Sequence, residues 1–422
     1  MKYRHRVVGL LSLLAIITYL DRVCLAVAGP RMQDSLHISP QAWGWVTSVF
    51  FIAYAAFEIP TGVMGDRIGA RRVLTRVVVW WSAFTSLTGV VSSYPLLLGV
   101  RFCFGMGEAG AYPNVATVLG RWIPPAKRAR TWGIVWMTSQ LGAAIAPLLV
   151  VPLQMRYGWR ASFYLFGVFG LLWSGVWYAW FRDTPREMQG MPAIEREEIG
   201  EERPAGHGGM PWRVALASGA LWRIAAVGAC YVYVIGFFQS WLQTYLVKGR
   251  GFTEGALVLS TLPYLVGACA NGIGGLTGDI LVRKFGLTTG RRTVGVLGLG
   301  MAAIFMAATI VAPGGGWSLV FLSAAYAAIL FQQPSLCAVS LDTGREHAGA
   351  VFGFMNTAGN AASALSSIVF GYLVASTGSY NAPFVPMLAL LCIGAALWLK
   401  IDPTHRFEPA ALGEGGAVRA PA

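Results

Sequence analysis

Apolar runs, each about as long as one bilayer crossing, alternate with short polar segments along the whole chain. They cover approximately 7–28, 43–65, 73–92, 95–119, 131–153, 160–181, 221–247, 254–280, 292–312, 316–342, 347–374 and 382–401, twelve in all. A helix needs ~20 mostly apolar residues to cross ~30 Å of hydrocarbon, so each run predicts one transmembrane helix. The rhythm fails once. Residues 182–213 are polar, with Glu195, Glu197, Glu198, Glu201 and Glu202 grouped before a Gly/Pro-rich stretch. The expected organisation is a six-helix half at 1–181, a cytoplasmic linker at 182–220, a second six-helix half at 221–401 and an Ala/Gly/Pro-rich tail at 402–422. The expected fold class is therefore all-α integral membrane, twelve transmembrane helices in two six-helix halves.

Composition agrees. Of 422 residues 55% are hydrophobic and 12% charged, against ~25% charged in soluble domains. The net charge of +13 raises the question of nucleic acid. Its distribution answers it: 25 of the 32 Lys and Arg fall in the N-terminus, the C-terminus and alternate loops, five (Arg31, Arg156, Arg160, Lys248, Arg250) in the loops between, and Arg22 and Arg101 inside runs. Basic residues concentrate on the cytoplasmic side, which places both termini there and leaves no charge to be explained by nucleic acid. The first run follows Lys2, Arg4 and Arg6 as in a signal peptide, but it holds Asp21-Arg22 and no small-residue cleavage pattern, so it is expected to be retained. All six cysteines lie inside apolar runs, where a thiol acts as a small hydrophobe, and no metal site is expected. His5, His37, His207, His347 and His405 fall in loops or tails. With no nucleophile and attendant base there is no catalytic residue to name, and an enzyme is not expected.

Chemistry concentrates in four residues. Asp21, Arg22, Arg101 and Glu108 are ionisable inside apolar runs, where a charge costs ~2.5–3.5 kcal/mol on insertion scales and therefore marks a functional candidate. Arg101 and Glu108 project from nearly one face, ~10.5 Å apart along the helix, too far to pair. Adjacent Asp21 and Arg22 point about 100° apart. The simplest neutral arrangement crosses them, Asp21 with Arg101 and Arg22 with Glu108. A purely structural ion-pair network joining the two helices remains open. A proton on Glu108 would free Arg22 for an anion, and the anion would favour the proton in return. Neutral polar groups, Tyr54, Gln140, Gln239, Gln243, Asn271, Gln332, Gln333, Asn356 and Asn360, offer substrate ligands or helix-to-helix hydrogen bonds. Gln140, Asn356 and Asn360 are candidate substrate ligands, the last two one turn apart. Glu58, one turn before Gly62, either titrates or caps the charge cluster around Asp66.

The segment Gly62-Val63-Met64-Gly65-Asp66-Arg67-Ile68-Gly69-Ala70-Arg71-Arg72 resembles the loop 2–3 signature of the major facilitator superfamily, G-x-L-x-D-R-x-G-R-R. It recurs in weaker form as Gly275-x-x-x-Asp279, again followed by an Arg-Arg pair. The resemblance implies a gating cluster of Gly62, Asp66, Arg67, Gly69, Arg71, Arg72 and Asp279, with plain positive-inside anchoring as the alternative. Tyr19-Leu20-Asp21-Arg22, the run Arg101 to Asn114 containing Gly105-Met106-Gly107-Glu108, and Gly353 to Asn360 resemble the anion:cation symporter family. That resemblance implies Asp21 and Glu108 as proton-linked acids, Arg22 as anchor for a substrate carboxylate, Arg101 as a salt-bridge partner, and Tyr19, Tyr54 and Asn360 as cavity-lining groups. It implies proton-coupled symport of an organic anion, a sugar acid first among them, by alternating access, with the proton as coupling ion and no other cofactor; a functional monomer is expected, and high Ala/Gly/Arg usage with compact loops suggests a bacterial inner membrane. Glu58 stands where many members have Gln, and Gln243 where W-x-P-x-Y-L has proline. These departures leave the anion open. An exporting antiporter (Gly133, Gly142 and Ala146-Pro147 match that signature only in part) and a transporter-like membrane sensor are the alternatives.

Overall fold

The computed structural model describes residues 2–199, 212–344 and 348–404, and among them every regular element is helical. The first group comprises α1 (Tyr3–Ser35), α2 (Pro40–Ile68), α3 (Ala70–Thr88), α4 (Tyr94–Glu108), α5 (Ala111–Trp122), α6 (Pro125–Tyr157) and α7 (Trp159–Trp180). Short α8 (Ala193–Ile199) and α9 (Trp212–Ala217) follow. The second group comprises α10 (Gly219–Ser240), α11 (Leu242–Thr244), α12 (Thr261–Phe285), α13 (Leu287–Val311), α14 (Gly315–Gly344), α15 (Ala348–Thr377) and α16 (Phe384–Trp398). Nine helices among the described residues are long and apolar enough to cross a membrane. α1 runs from Lys2 to the contact of Arg31 with Glu254, ahead of α12, and α12 runs back to α13, whose Arg292 donates to the Ile401 carbonyl at 2.7 Å, so Lys2 and Ile401 share one end of the bundle.

Two runs that hydropathy reads as single helices are broken. The run at 95–119 stops at Glu108 and resumes at Ala111, because Pro113 withholds its N–H from the carbonyl of Ala109 and its ring crowds that turn. The run at 221–247 breaks at Trp241 (φ −125°, ψ −14°) and continues through α11 into a π turn at Tyr245–Gly249. No proline stands here. Instead the Gln243 amide donates to Ser260 Oγ at 3.3 Å and ties the broken segment to the start of α12.

Helix pairs meet where one partner is glycine. A Cβ on Gly142 of α6 would collide with the Ile16 carbonyl oxygen of α1, and one on Gly105 of α4 would lie 2.5 Å from the Phe50 carbonyl oxygen of α2. Likewise Gly44 of α2 abuts Ser367 of α15, and Gly274 of α12 abuts Phe331 of α14. Lipid supplies no hydrophobic drive between helices, so close backbone approach and the dispersion it allows hold the bundle together.

The region expected to be a plain linker is instead partly docked. Asp183 Oδ1 accepts the Arg71 backbone N–H at 2.8 Å, at the start of α3. Gly69 makes room for that carboxylate: its φ is +91°, and a Cβ there would sit 2.5 Å from Asp183 Oδ2. Glu195, buried on α8, accepts the backbone N–H groups of Tyr3 and Arg4, both at 3.0 Å. A helix N-terminus leaves four N–H groups unsatisfied and carries partial positive charge, so both carboxylates act as caps supplied from a distance. Glu198 adds Lys2 at 2.8 Å and Arg4 at 2.5 Å, and the hydrogen bonds from Lys2 and Arg4 hold its carboxyl below the ordinary range. Met188, Met191 and Ile199 are buried in the same apolar cluster as α1 and α3. The rest of the linker at 200–211, the tail from 405 and the Asp66 side chain lie outside the described residues.

Contacts join the first group to the second along the bundle. At the end opposite the termini Arg31 forks onto the Glu254 carboxylate and donates to the Gln154 carbonyl, Lys248 meets Asp34 at 2.7 Å, and Gln33 donates to Thr244 at 2.9 Å. Midway, Tyr326 donates to Gln140 at 3.2 Å and Thr261 to the Ala144 carbonyl at 2.9 Å. Toward the terminus-bearing end, Asn356 of α15 donates to Glu58 of α2 at 2.6 Å.

Candidate functional site

α1 and α4 each carry one acid and one arginine into the middle of the bundle, and α2 lays its aromatic face against them. Asp21, Arg101 and Glu108 are at most 4% exposed, and the Arg22 side chain 10%. Arg22 is ion-paired with Glu108 through its Nε. Its guanidinium also lies over the rings of Tyr19 (5.3 Å), Phe50 (5.1 Å) and Tyr54 (4.8 Å). Arg101 lies 5.1 Å from the same Phe50 ring and 4.5 Å from that of Phe104. One phenyl ring therefore touches both cations, and ring faces compensate part of the charge that burial strips of water.

The crossed arrangement expected from sequence is half realised. Arg22 meets Glu108, but both carboxylate oxygens of Asp21 are buried without a hydrogen-bond partner, with the Trp81 indole nearby. Arg101 makes no ion pair among the described residues; aromatic rings stand where a salt-bridge partner was expected. The 100° offset of Asp21 and Arg22 fixes their divergence but not where α4 lies, and α4 offers Arg101 to α2.

Arg22 and Arg101 line one small cavity with Thr47, Gln239, Ser240 and the apolar Leu25, Phe50 and Phe51. Its volume is ≈ 10 Å³, on the order of what one water molecule needs. Arg22 Nη2 and Arg101 Nε, on two of its lining residues, are buried without partners, as is Oε2 of Glu108, which pairs with Arg22. The conformation is thus closed around an electropositive spot with unused donors. A multi-atom ligand requires the helices to part.

The other candidates spread around this centre. Tyr19 and Tyr54 are buried against Arg22. Gln140 is engaged by Tyr326 across the groups, and Asn356 by Glu58. Glu58 accepts from Asn356, a contact outside the two alternatives, titration or capping of the Asp66 cluster, that its spacing left open. Asn360, half-buried, lies one turn from Asn356. Asn271 bonds Gln333 at 2.9 Å, and Gln332 accepts from Trp398 at 3.2 Å, so these join helices. In the glycine-rich segment, Gly62 and Gly65 let α2 approach Pro113 and Asn114 of α5. Arg67 and Arg72 are exposed, while Arg71 donates to the Tyr178 carbonyl at 2.6 Å. Asp279 stands 4.0 Å from Arg291. Sequence reading missed Phe50, since aromatics in lipid are usually packing groups. Its four-residue spacing to Tyr54, and Tyr54's to Glu58, is the helical-face signal that was available.

The sequence profile of the Major Facilitator Superfamily matches residues 11–367. Over 408 residues, 95% of this chain and 94% of the relative, the chain is 33% identical to a probable sulfoacetate transporter, SauU, of Cupriavidus necator. It is 30% identical to a hexuronate transporter of Bacillus subtilis over 96% of this chain and 94% of that one. Among solved structures, a bacterial homolog of the human lysosomal transporter Spinster superposes with a TM-score of 0.76 at 19% identity, covering 94% of this chain and 96% of the other. Both sequence relatives are named as transporters, not as enzymes. The chain belongs to the Major Facilitator Superfamily, as an anion:cation symporter-like member.

Proposed function

We propose that this chain is a secondary transporter that moves an organic anion together with protons, by alternating access of two six-helix halves, twelve spans in all, with both termini in the cytoplasm of a bacterial inner membrane. The observation that carries this reading is the pair of arginines on one buried cavity, each with an unpartnered N–H donor, of which only Arg22 is ion-paired among the described residues, to Glu108. A planar guanidinium fork that cannot lose its charge is suited to a carboxylate or sulfonate. Arg22 is the anchor, held by Glu108 until a proton neutralises that acid. The anion then takes the vacated donors, with Arg101 as the second cation. Proton and anion each raise the other's affinity. Asp21 is a second acid for the proton. Rocking of the halves around a midplane site is the established mode of such repeat-built carriers.

Sugar acids are the first class to try. The 33% identical relative is named for sulfoacetate, and few neutral hydrogen-bonding groups line the cavity, which favours a smaller anion as the second reading. The test is uptake of labelled glucuronate, galactonate, glucarate and sulfoacetate into proteoliposomes with and without an inward proton gradient. Gradient-driven accumulation that Glu108→Gln sharply lowers while exchange persists is the expected result. No uptake of any of them by folded protein refutes the reading.

A further inference from the structure

Glu58 is not used by the mechanism above. It lies on α2 one turn beyond Tyr54, whose ring underlies Arg22, and two turns beyond Phe51 in the cavity wall. Oε1 accepts from Asn356 Nδ2 at 2.6 Å, and Oε2 is buried without a partner. The bond ties α2 to α15 on the side of the cavity that faces the termini, so it must break for the cavity to open that way. We propose that Glu58 carries a proton of its own through the transport cycle, taking it up as the anion binds and releasing it when the contact to Asn356 opens. This rests on the organic-anion reading.

The surroundings argue for it. Around Glu58, α1 presents Arg22, α2 itself Tyr54, and α15 the neutral Asn356; Glu108 of α4 and Tyr112 of α5 act on Tyr54 and Arg22 rather than on Glu58. On α3, Arg71 is turned to Tyr178, and Arg72 and Arg76 are exposed. Arg22 is thus the cation within reach, and it is shared with Glu108. A buried carboxylate with one neutral donor and one orphan oxygen is poorly compensated as an ion. An anion arriving on Arg22 removes the remaining positive potential, so a proton from the entry side accompanies it. Opening toward the termini admits water to Glu58 and lets that proton leave there. Glutamine would accept the same bond from Asn356 without titrating, so Glu58→Gln removes the proton and keeps the contact.

The experiment compares wild type and Glu58→Gln in proteoliposomes, reading steady-state accumulation of labelled glucuronate and sulfoacetate under a pH gradient with the membrane potential clamped at zero. Each coupled proton multiplies accumulation about tenfold per pH unit, so Glu58→Gln should accumulate about tenfold less per unit of gradient while binding and exchange persist. Equal accumulation overturns the proposal. A substrate-independent readout accompanies it, the protonated-carboxyl infrared band of the purified protein between acid and alkaline pH. Wild type should lose intensity that Glu58→Gln never shows, and identical spectra overturn the proposal by themselves. A wild type that moves none of glucuronate, galactonate, glucarate and sulfoacetate sinks the transport reading, and the coupling role with it, even where the infrared band shows Glu58 titrating.

Discussion

At the residue scale the site is two arginines sharing one ring. Phe50 lies 5.1 Å from each guanidinium, so it holds two like charges at a fixed spacing while supplying its negative face to both. Cation–π contacts are worth ~0.5 to 2 kcal/mol depending on desolvation. Phe50→Leu keeps the bulk and removes the ring, and anion affinity is expected to fall roughly 2- to 30-fold, measured as a rise in Kd by calorimetry. An unchanged Kd would mean the ring only fills space. Arg22→Lys tests the other half of the arrangement. Lysine keeps the charge but has no planar fork and cannot at once hold Glu108 and offer a second donor. Uptake is expected to fall at least about tenfold, the loss of one charge-assisted hydrogen bond. Wild-type uptake by Arg22→Lys would show that a point charge suffices. The four ionisable candidates were legible in the sequence because charge in an apolar run is costly. The partner of each was not, because pairing depends on where neighbouring helices lie. Asp21, with both oxygens unpartnered, is the clearest case.

At the element scale the helices follow the apolar runs, and the exceptions have local or distant causes. Pro113 explains the break between α4 and α5 and was readable in principle. The break at Trp241 was not readable from a proline rule, since Gln243 occupies that position. Least legible was the docked linker. Asp183 and Glu195 reach helix starts 112 and 192 positions away along the chain, and such caps leave no periodicity in the sequence. They behave as N-caps do, whose removal costs ~0.5–2 kcal/mol. Glu195→Ala is expected to lower the melting temperature and to speed protease cleavage near α8, with both unchanged if α8 merely rests on α1. The Glu198 contacts to Lys2 and Arg4 add a pH dependence of known sign. Its carboxyl is depressed in the folded protein, so its contribution is present above the ordinary carboxylate range and is lost as pH falls through the depressed folded value. Cleavage near α8 should therefore accelerate on acidification in wild type, and less so in Glu198→Gln.

At the scale of the whole molecule the bundle is fastened on both sides of a cavity with room for about one water. Asn356 to Glu58 closes the terminus-bearing side, and Arg31 with Glu254, Lys248 with Asp34, and Gln33 with Thr244 close the other. Arg31 is the central piece of the second seal, since one guanidinium joins α1, the last turn of α6 and the segment entering α12. A bidentate pair is stronger than a single exposed ion pair, and a shift of 1.4 kcal/mol between closed and open forms changes their ratio tenfold. Arg31→Ala removes the fork and frees the Gln154 carbonyl, so the form open on that side should become more populated. In a cysteine-free background carrying Thr47→Cys, a cavity-lining position, a membrane-impermeant thiol reagent applied from the side opposite the termini should react several-fold faster once Arg31→Ala is added. The exchange Arg31→Glu with Glu254→Arg should return the rate toward its starting value, because the pair is restored with its ends reversed even though the bond to Gln154 is not. Reaction at the original rate in Arg31→Ala would show that the glycine contacts of α2 with α15 hold that side shut without the ion pairs.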